Sequence, residues 1–281
     1  MVNTGLFLVV ILLANIMQGI TGFAGTILAM PLSLMLVGYP VAKPVLNVLG
    51  LLSGVYVLAG HKDRVCWKEL RKIVAVMTLG ILAGIGIKGA FVGREQILYR
   101  LLGIFVTLLA VQGLWGSWKG RKSPGGGDKA GAGAEGALGA QVSQPEGQSA
   151  GKSLGEPAHS ASGKDSPVLA ALLVLAGIAH GIFVSGGPLL ISYLTKKVTD
   201  KVSFRATIST VWVFLNTIIL VDDIRSGLWN LSLMAVQAAS VPFLLAGMFI
   251  GGKLYVRMSQ EVFMVLTYIL LFVSGISLLF K

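Results

Sequence analysis

The sequence predicts an all-α membrane protein made of two inverted repeats, each a re-entrant or broken helical hairpin followed by three transmembrane helices. Three observations lead to this prediction: a mean hydropathy of +0.81 with only 12% charged residues, a series of long runs without charge, and shared residues at one constant offset. The charged fraction is about half that of an ordinary globular domain. A chain with so few polar residues cannot cover a soluble surface.

Charge-free runs follow one another along the whole chain. Residues 1–42 contain no Asp, Glu, Lys or Arg. Crossing the hydrocarbon core takes about 20 apolar residues, and most of the runs reach that length once flanking residues that snorkel are included. The first run has no basic residue before it and no small-residue cleavage site, so we expect it to be retained rather than removed as a signal peptide. The later runs cover residues 44–60, 73–87, 101–118, 166–195, 206–221, 226–252 and 262–280.

Several classes of function are not expected from this composition. Cys66 is the single cysteine, so no internal disulfide can form. The net charge of +11 is explained by Lys and Arg that flank membrane spans, and we expect no nucleic acid partner. Neither a phosphate-binding loop nor a cluster with metal-ligand spacing is seen. We therefore expect no cofactor, no metal and no enzymatic activity.

The chain divides into a membrane repeat at residues 1–118, a flexible linker at 119–165 and a second membrane repeat at 166–281. The linker is dense in Gly, Ala, Ser and Pro, a composition that cannot bury enough apolar surface to fold. An offset of 162 positions aligns the two repeats without gaps, which indicates an internal duplication. The matched pairs include Ala14 with Ala176, Gly19 with Gly181, Gly25 with Gly187, Lys43 with Arg205 and Trp67 with Trp229.

The distribution of Lys and Arg predicts the orientation. If the first long run of each repeat enters the membrane and returns, seventeen cations lie on the linker side and six on the other side. If each long run crosses once, the split is thirteen to ten. The positive-inside bias favours the hairpin, with a cytoplasmic linker and both termini outside, in the cell inner membrane. Such a repeat crosses an odd number of times, so the second copy is inverted, as in many transporters.

Small and polar residues interrupt each long run at the same place, over 18–26 and 180–188. We expect one half-helix of about 15 residues on each side of the break. A restarting helix offers free N–H groups and a partial positive charge to an anion. The alternative is that the glycines only allow helices to pack closely, as we expect for Gly80, Gly84, Gly247 and Gly251. The candidate substrate-binding residues are Gln18, Gly22, Phe23, Gly25, Thr26, Lys43, Asn47, His180, Ser185, Gly186, Gly187, Arg205 and Thr207.

Charged residues outside the breaks have two interpretations. Lys43 and Arg205 begin the runs that follow the hairpins, where they either attract the anion or anchor the helix at the interface. Asp222 and Asp223 close the 206–221 run and are interpreted as interfacial acids.

At the breaks the chain resembles the sulfite exporter TauE/SafE family, also called the 4-toluenesulfonate uptake permease family. The resemblance rests on Gly19-x-x-Gly22-Phe23-x-Gly25 with Leu28-Ala29-x-Pro31-Leu32, and on Gly181-x-x-x-Ser185-Gly186-Gly187-Pro188-Leu189. It departs from the family pattern at Ala24, Thr26, Val184 and Pro188, where the family often has glycine.

The resemblance implies a secondary transporter, an exporter of sulfite or an organosulfonate, working by alternating access in the lipid bilayer. The alternatives are a non-transporting membrane scaffold and a channel-like anion pore. The sequence leaves a homo-oligomer open.

Overall fold

The computed structural model of the protein describes residues 2–21, 25–90, 95–121, 167–194, 197–198 and 200–254, and single positions at 269, 272, 276 and 279. These residues form helices and no β-strand, so the all-α prediction is confirmed. Nearly all of the predicted linker lies outside the described residues, as do Gly22 and Phe23. The helices are α1 (Val2–Thr21), α2 (Gly25–Val37), α3 (Tyr39–His61), α4 (Trp67–Ala90), α5 (Glu95–Arg121), α6 (Pro167–Phe183), α7 (Gly187–Leu194), α8 (Lys201–Arg225) and α9 (Leu231–Leu254), with a 3-10 turn at Lys62–Arg64.

Five of the described helices, α1, α3, α4, α8 and α9, are long and apolar enough to cross a membrane. The two long runs are broken as predicted, α1 from α2 and α6 from α7, but the arms are unequal. They have 20 and 13 residues in the first hairpin and 17 and 8 in the second, where about 15 each were expected. At 1.5 Å per residue, α1 is about 30 Å long and α7 only about 12 Å. The helices before the breaks, α1 and α6, are longer than the helices after them. They continue past Gly19 and Gly181 because each glycine lies inside a helix–helix contact.

Glycines bring two pairs of helices into backbone contact, α1 with α9 and α4 with α6. A Cβ added to Gly251 would lie 2.3 Å from the carbonyl oxygen of Ile16, and one added to Gly80 would lie 2.3 Å from that of Val174. Real side chains do not approach so closely, so these positions require glycine. The expected packing role of Gly80, Gly84, Gly247 and Gly251 is confirmed.

The third large contact joins α3 to α8, and the two helices run in opposite directions. Lys43 near the start of α3 meets Asp223 near the end of α8, and Gly54 further along α3 lies against Ser209 near the start of α8. We call the end of the molecule with Lys43 and Asp223 the Lys43 end, and the opposite end the Arg205 end. A single crossing by each long run would put Lys43 and Asp223 on opposite sides of the membrane, so their contact favours the hairpin.

Candidate functional site

The two breaks meet at one small cavity between the repeats. Its volume is about 20 Å³, which is room for about one water molecule. Among the described residues, neither a carboxylate nor a Lys or Arg lines it. The lining residues are Gln18, Thr26, Ile27, Gly50, His180, Val184, Ser185, Gly187, Trp212 and Asn216.

In the first hairpin, Gln18 closes the break by capping the helix that follows. The backbone N–H of Gly25 donates to Gln18 Oε1 at 2.8 Å. A Cβ on Gly25 would lie 2.8 Å from the carbonyl oxygen of Ala14, so only glycine lets α2 restart against α1. The first N–H of α2 is therefore taken by the protein, where the sequence predicted it free.

In the second hairpin, His180 takes the same position. The N–H of Gly186 donates to His180 Nδ1 over a long 3.5 Å, and a Cβ on Gly186 would lie 2.3 Å from the carbonyl oxygen of Ala176. The equivalent of Gly25 is thus Gly186, one residue before the Gly187 that the constant offset gives. The shorter loop is strained, since Val184 has a φ of 54°, a conformation that β-branched residues rarely adopt.

A hydrogen bond connects His180 to Asn216 in α8, and Asn216 in turn contacts α3. Because Nδ1 of His180 accepts a bond, its proton is on Nε2, which donates to Asn216 Oδ1 at 2.8 Å. The ring of His180 also packs on Trp212, with centroids 4.9 Å apart. The bond fixes the amide of Asn216 so that its Nδ2 lies against Gly50. Asn216 and Trp212 were missed from the sequence; the one signal was a lone amide within the charge-free run 206–221.

The structure places Lys43 away from the cavity, in a buried ion pair. Its Nζ bonds to Asp223 Oδ1, and Asp222 Oδ2 is 3.9 Å away. The side chains of Lys43 and Asp223 are both 0% exposed, so the interpretation of Asp223 as an interfacial acid was wrong. A buried cation needs such a partner because water is not there to solvate it.

The other candidate substrate-binding residues outside the cavity form hydrogen bonds with neighbouring segments of the chain. Arg205 donates through a terminal nitrogen to the carbonyl oxygen of Gly19 at 3.3 Å, and its Nε is buried without a hydrogen bond among the described residues. Thr207 Oγ1 accepts from the N–H of Cys66 at 2.9 Å. Asn47 donates to the backbone oxygen of Asn216 at 3.0 Å. The structure thus brings together Gln18, Thr26, His180, Ser185 and Gly187, with Gly25 and Gly186 directly behind them as the capped restarts.

Cys66 lies just outside the spans, between the 3-10 turn and α4. Burial raises the pKa of its thiol, which lowers the fraction of the reactive thiolate. Among the described residues no group of three or more His, Cys, Asp or Glu side chains is arranged to hold a metal ion.

A multi-pass helical membrane protein whose broken helices converge on one cavity has an architecture that recurs among membrane transporters. The protein belongs to the sulfite exporter TauE/SafE family, whose model matches residues 7–278. The resemblance seen in the sequence is thereby confirmed over nearly the whole chain, and it supports a membrane transporter of a small anion. Comparisons with curated proteins and with solved structures give no match.

Proposed function

We propose that the protein is a secondary transporter that exports a small sulfur-containing anion, sulfite or an organosulfonate, by alternating access. The observation that carries this proposal is the convergence of both breaks on one small cavity. Broken backbone at membrane depth is tolerated where it lines such a cavity. At about 20 Å³ the cavity is too small for sulfite, so loading requires the surrounding helices to separate.

The cavity offers an anion uncharged donors. Nδ2 of Asn216 and the hydroxyl of Thr26 are close to the restart of α2, where the helix dipole is positive. The hydroxyl of Ser185 already donates to the carbonyl oxygen of Phe183 at 2.9 Å. The described lining residues place no carboxylate there to repel the anion. Arg205 attracts the anion toward the Arg205 end. Lys43 does not act in the same way, because Asp223 neutralises its charge.

We further propose that the linker and the Arg205 end are cytoplasmic and that both termini are outside, in the inner membrane. The excess of Lys and Arg on the linker side supports this orientation. The antiparallel α3 and α8 support an inverted second repeat, since equivalent membrane-crossing helices oppose each other only when the symmetry axis lies in the membrane plane.

Counterflow in proteoliposomes tests the function. We expect saturable, trans-stimulated uptake of sulfite, compared with sulfoacetate, taurine and chloride. Uptake without saturation or exchange indicates a pore, and absence of uptake of all four indicates a scaffold.

A matched pair of variants ties uptake to the cavity. Asn216→Asp adds a carboxylate of the same shape, and we expect uptake to fall by about tenfold or more through charge repulsion. Asn230→Asp is the control: Asn230 is exposed and accepts the N–H of Leu233 at 2.9 Å, a bond that Asp retains. Equal uptake by the two variants would contradict the site.

A further inference from the structure

We divide eight of the described helices into two units according to the side of the cavity on which they lie. The units cut across the sequence repeats, and the contact of α3 with α8 between them is more extensive than the contacts of either helix within its own unit. Unit A consists of α1, α2, α3 and α9, and unit B of α6, α7, α8 and α4. Within each unit the helices pack on one another, and the glycine contacts of α1 with α9 and of α4 with α6 hold the fourth helix of one repeat to the first of the other. The large contact between the units is that of α3 with α8.

The cavity lies between these two units. Gln18, Thr26 and Gly50 belong to unit A, and His180, Ser185 and Asn216 belong to unit B. The caps stay within a unit, since Gln18 binds Gly25 and His180 binds Gly186. Movement of one unit against the other therefore opens the cavity without breaking either hairpin.

The bonds between the units differ at the two ends. At the Lys43 end, the Lys43–Asp223 ion pair joins α3 to α8, and the hydroxyl of Tyr39 donates to the backbone oxygen of Ile182 in α6. At the Arg205 end, the residue equivalent to Lys43 reaches across to a neutral acceptor, the carbonyl oxygen of Gly19. Among the described residues no carboxylate lies within 4.0 Å of Arg205.

We propose that Lys43 and Asp223 form a latch that keeps units A and B closed at the Lys43 end, so that the resting transporter opens at the Arg205 end. The inference rests on the proposed alternating access and adds the moving parts and the side that opens first. Separating the buried ion pair leaves two uncompensated charges away from water, whereas separating Arg205 from the carbonyl oxygen of Gly19 leaves one charge and a neutral acceptor. Opening at the Lys43 end requires the latch to break.

Cysteine labelling tests the latch without needing the substrate. Thr26→Cys places a thiol in the cavity, in a chain with Cys66→Ser, and a membrane-impermeant methanethiosulfonate reagent reaches it only through an open end. Inside-out and right-side-out vesicles present the two faces separately. Exposed reporters identify each face: Gly60→Cys at the Arg205 end and Ser226→Cys at the Lys43 end. We expect labelling from the Arg205 end to be about tenfold faster or more, the ratio given by a minor state of about 10% population.

Three latch variants accompany the assay. Lys43→Met with Asp223→Asn removes both charges together and leaves no lone buried ion; we expect labelling from the Lys43 end to rise about tenfold. Lys43→Asp with Asp223→Lys exchanges the charges, and the contrast between the ends should return. Asp63→Asn is the matched control, because Asp63 is exposed in the 3-10 turn at the far end of α3, and the labelling rates from the two ends should stay as in the chain with the latch intact.

Equal labelling of the Thr26→Cys chain from both ends, with Lys43 and Asp223 intact, would overturn the latch. An unchanged contrast in the neutral pair, in protein that elutes as a folded, monodisperse peak, would do the same. Sulfite counterflow in separate vesicles that hold the unaltered chain, with Thr26 present, distinguishes this inference from the proposed function. One-sided labelling without sulfite uptake supports the latch and refutes the transport activity, whereas uptake with two-sided labelling refutes only the latch.

Discussion

The capping role of His180 allows a quantitative prediction, because Gln18 occupies the equivalent position in the first repeat and caps Gly25 there. His180→Leu removes the acceptor for the N–H of Gly186 and the donor for Asn216 Oδ1. Each buried polar group left without a partner costs about 1–3 kcal/mol, and the bond to Gly186 is long, so we expect a loss of about 2–4 kcal/mol. His180→Gln can cap Gly186 as Gln18 caps Gly25, and only the bond to Asn216 is lost, at about 1–2 kcal/mol.

Both variants lose the ring contact with Trp212, so their difference isolates the cap. The free energy of unfolding in detergent, from denaturant titration followed by tryptophan fluorescence, measures it. Two results would refute this reasoning: a Leu variant as stable as the unaltered chain, or a Gln variant as unstable as the Leu variant. The reciprocal change, Gln18→His, should be tolerated similarly, because a ring nitrogen can accept from Gly25 as it does from Gly186.

Three further predictions test the close packing of Gly25, the attraction of the anion by Arg205 and the buried thiol of Cys66. Gly25→Ala puts a Cβ 2.8 Å from the carbonyl oxygen of Ala14, so sulfite counterflow and thermal stability should both fall, whereas Gly5→Ala, with nothing within 4 Å, should change neither. Arg205→Gln should raise the KM for sulfite about tenfold at low ionic strength, and less in high salt, which screens the attraction; Arg205→Lys retains the charge, and an unchanged KM in the Gln variant would contradict the attraction. Burial raises the pKa of the Cys66 thiol, and since the thiolate is the reactive form, alkylation should be slow at pH 8 and its rate should keep rising as the pH is raised further; a plateau below pH 8 would contradict the burial.

The sequence was most informative where special backbone geometry demands special residues. The breaks were predictable because glycine, proline and polar residues interrupt otherwise apolar runs at the same place in both repeats. The one-residue slip between Gly25 and Gly186 was not, because an alignment without gaps hides a deletion inside a loop. The unequal arms were missed for a related reason: Gly19 suggests an early end to α1, but its backbone contact with α9 keeps it inside the helix.

Residues whose role depends on a partner were harder to predict. An acid at the end of an apolar run looks the same whether it faces the interface or a buried cation, so Asp223 was misread and its pairing with Lys43 was not foreseen. Asn216 is one amide among apolar residues, and its importance comes from His180, which is 36 positions away. In the sequence, the constant offset makes Lys43 and Arg205 look like equivalent cations. The fold shows that Lys43 is neutralised by Asp223.

This asymmetry bears on direction in a limited way. A latch at the Lys43 end lowers the population of one open state, and so it changes how readily the anion loads from each side. It adds no driving force, because the ion pair breaks and re-forms in every cycle and its free energy cancels. The described lining of the cavity contains no Lys or Arg, which favours release of a bound anion. In the proposed export the net direction therefore depends on the anion gradient or on a coupled ion, while the proposed latch of Lys43 and Asp223 determines which face loads first.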